Sequence, residues 1–243
     1  MKSLKELYRI GIGPSSSHTI GPRSAAEAYL KRHPEALGFR VTLYGSLAAT
    51  GKGHLTDYAI LQVLGENRTE LLWHANIVLP FHPNGMKFVA FDKDKNKTNE
   101  WICYSVGGGA LSEGENSRWL NNQREVYQKN TLTDIQQWCE ENGRGYWEYV
   151  NECEEEDIWD YLMEVWRAMQ ESVERGIDHE GALPGPLNLP RKGPIYYVKA
   201  SGYKQSLQSR ALVYAYALSV SEENASGGTI VTAPTCGSCG VLP

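Results

Sequence analysis

The apolar residues of this chain change their spacing near residue 125, and that change limits the folds open to it. Before it, short runs read as strands: residues 39–44, 76–79, 86–91 and 101–106. The last two flank Asp92-Lys93-Asp94-Lys95-Asn96-Lys97, a charged turn suited to a hairpin. Helical patterns over 24–32 and 55–64 lie among them, the first with Ser24 and Glu27 at the spacing of a capping box. Strands interspersed with short helices predict an α+β domain over residues 1–125. Its last part, 107–124, is rich in Ser, Asn, Glu and Gly and reads as a linker.

Beyond the linker the apolar period becomes 3.6, which predicts a mostly α-helical second domain over 126–243. Leu132, Ile135, Trp138 and Cys139 share a face that ends at Gly143. Ile158, Leu162, Val165, Trp166, Met169 and Val173 mark a second helix, and residues 205–222 a third. The acidic run 154–157 reads as a solvated helix start favoured by the dipole. Pro184, Pro186, Pro190 and Pro194 predict an extended loop. Residues 228–233 are strand-like, and Cys236-Gly237-Ser238-Cys239 opens a further helix at whose start the sequence stops. The second domain is therefore expected to be incomplete.

Two polar loops carry the chemistry. The first is Gly11-Ile12-Gly13-Pro14-Ser15-Ser16-Ser17-His18-Thr19-Ile20-Gly21-Pro22-Arg23. Backbone N–H groups and hydroxyls at the opening of a helix suit a carboxylate or phosphate. The second, Tyr44-Gly45-Ser46-Leu47-Ala48-Ala49-Thr50-Gly51-Lys52-Gly53-His54, follows a strand and leads into a helix. Loops at strand ends commonly present functional groups.

The two loops, together with Asn84-Gly85-Met86, Tyr104-Ser105-Val106-Gly107-Gly108-Gly109, Leu183-Pro184-Gly185-Pro186, Glu222-Glu223-Asn224-Ala225-Ser226-Gly227-Gly228 and Thr232-Ala233-Pro234-Thr235-Cys236-Gly237-Ser238-Cys239-Gly240, resemble the iron–sulfur-dependent L-serine dehydratases. The resemblance implies a serine dehydratase β-type domain followed by the start of an α-type domain. It implies deamination of L-serine to pyruvate and ammonia, a [4Fe-4S] cluster and a homodimer. Cys239 matches a ligand cysteine of the family, and Cys236 stands where the family usually has Asn. Taken on spacing alone, the C-x-x-C pair remains open to three readings: a redox pair, half of a zinc site, or inert thiols. The family context selects an iron–sulfur ligand. Cys103, Cys139 and Cys153 read as structural.

Serine deamination needs a proton removed from Cα and hydroxide expelled from Cβ. Lys204 offers no convincing pyridoxal phosphate site; the resemblance implies instead a cluster iron acting as Lewis acid on the hydroxyl, with a histidine as base. His54 is favoured as the base and His18 as a substrate or cluster-proximal contact. Ser15, Ser16, Ser17 and Thr19 are candidate carboxylate binders, Thr50 and Lys52 candidate substrate contacts, and Asn84 a candidate for orienting the amino group. His33, His74 and His179 lack such context, and His82 is intermediate.

A formal charge of −5 without a basic cluster argues against a nucleic-acid partner. No apolar run reaches the roughly 18 residues of a membrane span, and the amino terminus does not resemble a signal peptide. Five cysteines, an odd number, point to a reducing compartment, with the cytoplasm as the expectation. The alternatives are a non-catalytic fragment that binds a small amino or hydroxy acid, and a related lyase or desulfidase acting on cysteine or threonine.

Overall fold

The computed structural model describes residues 1–114 and 125–241. In chain order the elements are α1 (Leu4–Leu7), β1 (Arg9–Ile12), a π-turn (Ser16–Ile20), α2 (Gly21–Arg32), β2 (Gly38–Tyr44), α3 (Gly45–Thr50), a 3₁₀ turn (Gly51–His54), α4 (Thr56–Leu64), β3 (Thr69–His74), β4 (Gly85–Phe91), β5 (Lys97–Gly107) and β6 (Ala110–Ser112). After residue 125 come α5 (Leu132–Asn142), α6 (Tyr146–Cys153), α7 (Ile158–Asp178), α8 (Gly193–Ser201), α9 (Gln205–Ala225), β7 (Thr229–Thr232) and a second 3₁₀ turn (Cys236–Gly240). A β-containing amino-terminal part thus precedes a largely helical part, as the apolar periods predict.

Strands β3-β2-β4-β5-β6 form one sheet in that order. Strands β2 and β3 are parallel, joined through α3 and α4, and the other neighbours are antiparallel. Alternate residues of β2 and β4 explain the cover: Phe39, Val41, Leu43, Met86, Phe88 and Ala90 are buried against Tyr29 of α2, Leu47 of α3 and Ile60 and Leu64 of α4. Burying each large side chain contributes about 1.5–3 kcal/mol, which holds the helices on one face of the sheet.

The strand expected at 76–79 is instead irregular, and the neighbour of β2 is Thr69–His74. Ile77 and Val78 are exposed, so their apolar character reflects no strand face. Within the expected linker, Ala110–Ser112 is an edge strand, and residues 115–124 lie outside the described residues. The Ser24 capping box is not used, because α2 continues from the π-turn and begins at Gly21, with Pro22 in its first turn. Pro194 likewise starts α8 rather than extending the loop before it. Glu154 is more than a solvated helix start: it accepts from the Ser3 hydroxyl (2.7 Å), the Leu4 N–H (2.8 Å) and the Tyr127 hydroxyl (2.7 Å).

Strand β1 pairs antiparallel with β7, Arg9 opposite Thr232 and Ile12 opposite Thr229. The first twelve residues therefore cross to the helical part, where Tyr8 packs with Tyr161, Val165, Met169 and Val231. This ribbon delivers the first loop to the start of β7. In α7, Gly176 lets α9 approach closely, since a Cβ there would stand 2.3 Å from the Ser219 carbonyl oxygen.

Candidate active site

Ser15 builds the first loop. Its hydroxyl accepts the His18 N–H at 3.1 Å, and its carbonyl accepts from both Thr19 N and Ile20 N. The i+5 bond opens a π-turn, a form often found at functional sites, and it places His18 just before the start of α2. Gly21 follows because a Cβ there would meet the Ser105 Oγ at 2.2 Å.

In the second loop, β2 ends at a left-handed Gly45 (φ +49°), whose absent Cβ would meet the Pro83 carbonyl oxygen at 2.5 Å. After α3 and the 3₁₀ turn, Leu55 takes a left-handed conformation (φ 56°) and redirects the chain into α4. Two threonines tie the loops together. The Thr19 hydroxyl donates to the His54 carbonyl (2.6 Å), and the Thr56 hydroxyl donates to the His18 carbonyl. Both threonines are fully buried. Thr19 also accepts the Ser15 N–H (3.2 Å), which commits its hydroxyl to loop closure rather than to a carboxylate.

The result is a pair of histidines with ring centroids 4.9 Å apart. His54 Nδ1 lies 3.0 Å from the Thr50 carbonyl, which can only accept, so that nitrogen carries the proton and Nε2 keeps its lone pair. His18 is held at both nitrogens by hydroxyls, Nδ1 to Ser17 (2.9 Å) and Nε2 to Ser46 (3.0 Å). Burial, and next the neighbouring His54, lower the pKa of His18 against the opposing effect of the Ser46 backbone.

Thr50 is exposed and its hydroxyl donates to the Ser46 carbonyl. The Lys52 ammonium stands 5.6 Å from the centre of the Trp73 ring. Asn84 is buried under the site. Its amide nitrogen donates to the Ser105 carbonyl (3.2 Å), and its own N–H donates to His82 Nδ1. The Ser105 hydroxyl is buried with no hydrogen-bond partner among the described residues, an orphan beside Gly21.

The carboxyl-terminal motifs close around the first loop. Gly13 N donates to the Gly228 carbonyl (3.0 Å), and a Cβ on Gly13 would stand 2.2 Å from the Asn224 carbonyl oxygen. Arg9 donates to the Gly108 carbonyl (2.7 Å), and Gly108 approaches Pro234. Cys236 and Cys239 are buried with Val220, Ile230 and Ile20, the last residue of the π-turn. Burial pushes the Cys236 thiol up to about 12, with Cys239 adding to the effect. Burial likewise raises Cys239 to about 11, opposed by backbone N–H groups. Both are neutral thiols near pH 7. Among the described residues no group of three or more His, Cys, Asp or Glu side chains is placed to hold a metal ion. Cys103 lies in the sheet core, and Cys139 and Cys153 lie on α5 and α6.

Sequence reasoning missed Ser46, a single hydroxyl in Tyr-Gly-Ser-Leu, and gave no role to two carboxylates of α9. Glu223 is buried and meets His179 (2.6 Å), Arg191 (3.2 Å) and Arg175 (3.3 Å). Glu222 accepts from Lys192 N (2.7 Å) and Gly193 N (3.1 Å), which caps α8. His179, bland in sequence, is part of this anchor. A cavity of about 730 Å³ lined by α1, α5 and α6 residues contains none of the candidate residues.

The fold and site define a two-part protein in which one β-ribbon sets the π-turn that carries His18 against the paired thiols through Ile20. Comparison with known proteins supplies the family. The model of the serine dehydratase beta chain matches residues 3–70, and that of the serine dehydratase alpha chain matches residues 55–243. The chain belongs to the serine dehydratase family. It is 32% identical to L-serine dehydratase of Haemophilus influenzae over 295 positions, covering 100% of this chain and 65% of that protein. It is 33% identical to L-serine dehydratase 1 of Escherichia coli over 296 positions, with 100% and 65% covered. It is also 33% identical to L-serine dehydratase of Streptomyces coelicolor over 293 positions, with 99% and 64% covered. The chain thus spans about 65% of the length of these curated relatives.

Proposed function

We propose that this chain forms the acid–base and substrate-binding part of an L-serine ammonia-lyase. The observation that carries this reading is the tautomer of His54. Its Nδ1–H is held by the Thr50 carbonyl, so Nε2 is a lone-pair nitrogen on a half-buried ring beside a second histidine. In the reaction His54 Nε2 takes the Cα proton of L-serine, hydroxide leaves Cβ, and the aminoacrylate becomes an imine that hydrolyses to pyruvate and ammonia. Its low basicity keeps His18 neutral, so it adds no positive charge that would disfavour proton uptake by its neighbour. Ser16 and Ser17 are the candidate carboxylate contacts, since the N–H groups of Ser15, His18, Thr19 and Ile20 are spent on closing the turn, and Lys52, Thr50 and Asn84 are the candidates around the rest of the substrate.

Expulsion of hydroxide calls for a Lewis acid, and a [4Fe-4S] cluster is the group the family resemblance implies. Such a cluster is held by four cysteine ligands, or by three when one iron stays open to substrate. The described residues bring two thiols together, Cys236 and Cys239, and this donor set does not complete a cluster site. No helix among the described residues is long and apolar enough to cross a membrane. A cytoplasmic homodimer is the proposed setting.

The test joins this chain to the third of the Haemophilus influenzae relative that it does not match. Cluster absorbance reports assembly, and pyruvate is measured from L-serine. Turnover that falls about 10²–10⁴-fold in His54→Ala, with absorbance intact, is the expected result. An assembled enzyme indifferent to His54→Ala sinks the reading. L-Serine that perturbs the histidines without turnover favours the second reading, a non-catalytic binder of small amino acids, which the two-thiol donor set supports.

A further inference from the structure

His54 and His18 are fixed in different ways. A carbonyl fixes the tautomer of His54, whereas His18 is bracketed by two hydroxyls, each able to donate or accept. Hydroxyls therefore do not choose a tautomer, and what they fix is the direction of the ring. Ser17 is the adjacent residue and moves with His18. Ser46, 28 residues away, belongs to a different loop and is the external reference for the ring.

The backbone around Ser46 is held on two sides. Gly45 N donates to the Ile77 carbonyl (2.8 Å) and Ser46 N donates to the Pro83 carbonyl (3.1 Å). Gly45 turns the chain in a left-handed conformation that a side chain would block at the Pro83 carbonyl. The Ser46 carbonyl accepts from the Thr50 hydroxyl (3.0 Å), which closes the first turn of α3. A hydroxyl on a backbone pinned in this way has little freedom, which is what a supporting group needs in order to aim another side chain.

We infer that Ser46 is a positioning residue: it holds the His18 ring through Nε2, so that His18 faces His54 and the candidate substrate position. This role rests on the serine-deaminating reading only in what the orientation is for, since the orientation itself is a property of the chain. Removing the hydroxyl takes from Nε2 its side-chain partner and leaves Ser17 and the Ser46 backbone beside the ring.

The test is nitrogen-15 NMR of the histidine rings in the 243-residue chain. In Ser46→Ala the Nε2 resonance of His18 shifts and its tautomer populations change, while those of His54 and His179 stay in place. Ser46→Thr, which keeps the hydroxyl, restores the wild-type pattern. In the joined enzyme described above, Ser46→Ala lowers kcat by about 10²-fold, the scale of a misplaced catalytic group, with KM little changed. A His18 pattern that is the same in Ser46→Ala and wild type overturns the proposal, whatever the turnover. If Ser46→Ala does not fold, the wild-type spectrum decides, because His18 ring nitrogens with the shifts of a free, water-exposed imidazole overturn it equally. A shifted His18 pattern with unchanged turnover leaves the positioning role standing and removes His18 from the reaction.

Discussion

The rings of His18 and His54 stand 4.9 Å apart and are tilted by 42°, and each residue's backbone carbonyl is held by a threonine beside the other. Two basic groups at this distance cannot both be protonated without mutual repulsion, and burial adds to the cost for His18. His18 therefore titrates below its ordinary value of 6.5. A histidine depressed in the folded state binds its proton more readily when unfolded, so its contribution to stability is complete above about pH 6.5 and is lost as the pH falls below it. NMR titration should place the His18 midpoint below 6.5 and move it upward in His54→Ala, partway only, because burial remains the larger cause. A midpoint at or above 6.5 in the wild type would contradict the geometry.

Glu223 supports the carboxyl-terminal half of the site, since it anchors the end of α9 just before the Gly227-Gly228 turn that holds Gly13. Burial alone would raise its carboxyl, but bonds to His179, Arg191 and Arg175 outweigh that and leave it lowered. Glu223→Ala would strand the buried Arg191 guanidinium without its carboxylate, an arrangement that costs about 3–5 kcal/mol. Urea unfolding should show that loss. The wild type should also lose this contribution as the pH falls below about 4.5, through the lowered pKa of Glu223. A Glu223→Ala variant within about 1 kcal/mol of wild type would mean that the three partner side chains find water or other groups.

What could be read from the sequence was local. Phe39, Val41 and Leu43, with Met86, Phe88 and Ala90, alternate because one sheet face is buried, and that period is visible without a structure. Strand β1 was not legible: Arg-Ile-Gly-Ile is four residues long and becomes a strand only through β7, some 220 positions away. Strand β3 was displaced for a related reason, as its partner β2 is reached across two helices and neighbouring Ile77 and Val78 imitate a strand at the surface. Pro194 looked like a loop residue because the carboxylate that caps its helix, Glu222, lies on another helix. At the site, His18 and His54 were marked by the loops that carry them. Ser46 was not, because its meaning depends on a ring 28 residues away.

The last prediction concerns iron. Cysteine ligands bind as thiolates, so Cys236 and Cys239, raised to about 12 and about 11, must each release a proton on binding metal. That cost is recovered when several thiolates converge on one cluster, and a four-iron cluster uses three or four. Here two converge, in an apolar nest with Val220 and Ile230, while Cys103 belongs to the separate core of the sheet. Anaerobic reconstitution of the 243-residue chain with iron and sulfide should therefore give well under four irons per chain and no pyruvate from L-serine. Cys239→Ser should remove what little iron is retained. About four irons per chain, with serine turnover, would show that a second copy or the cysteines read as structural complete the site.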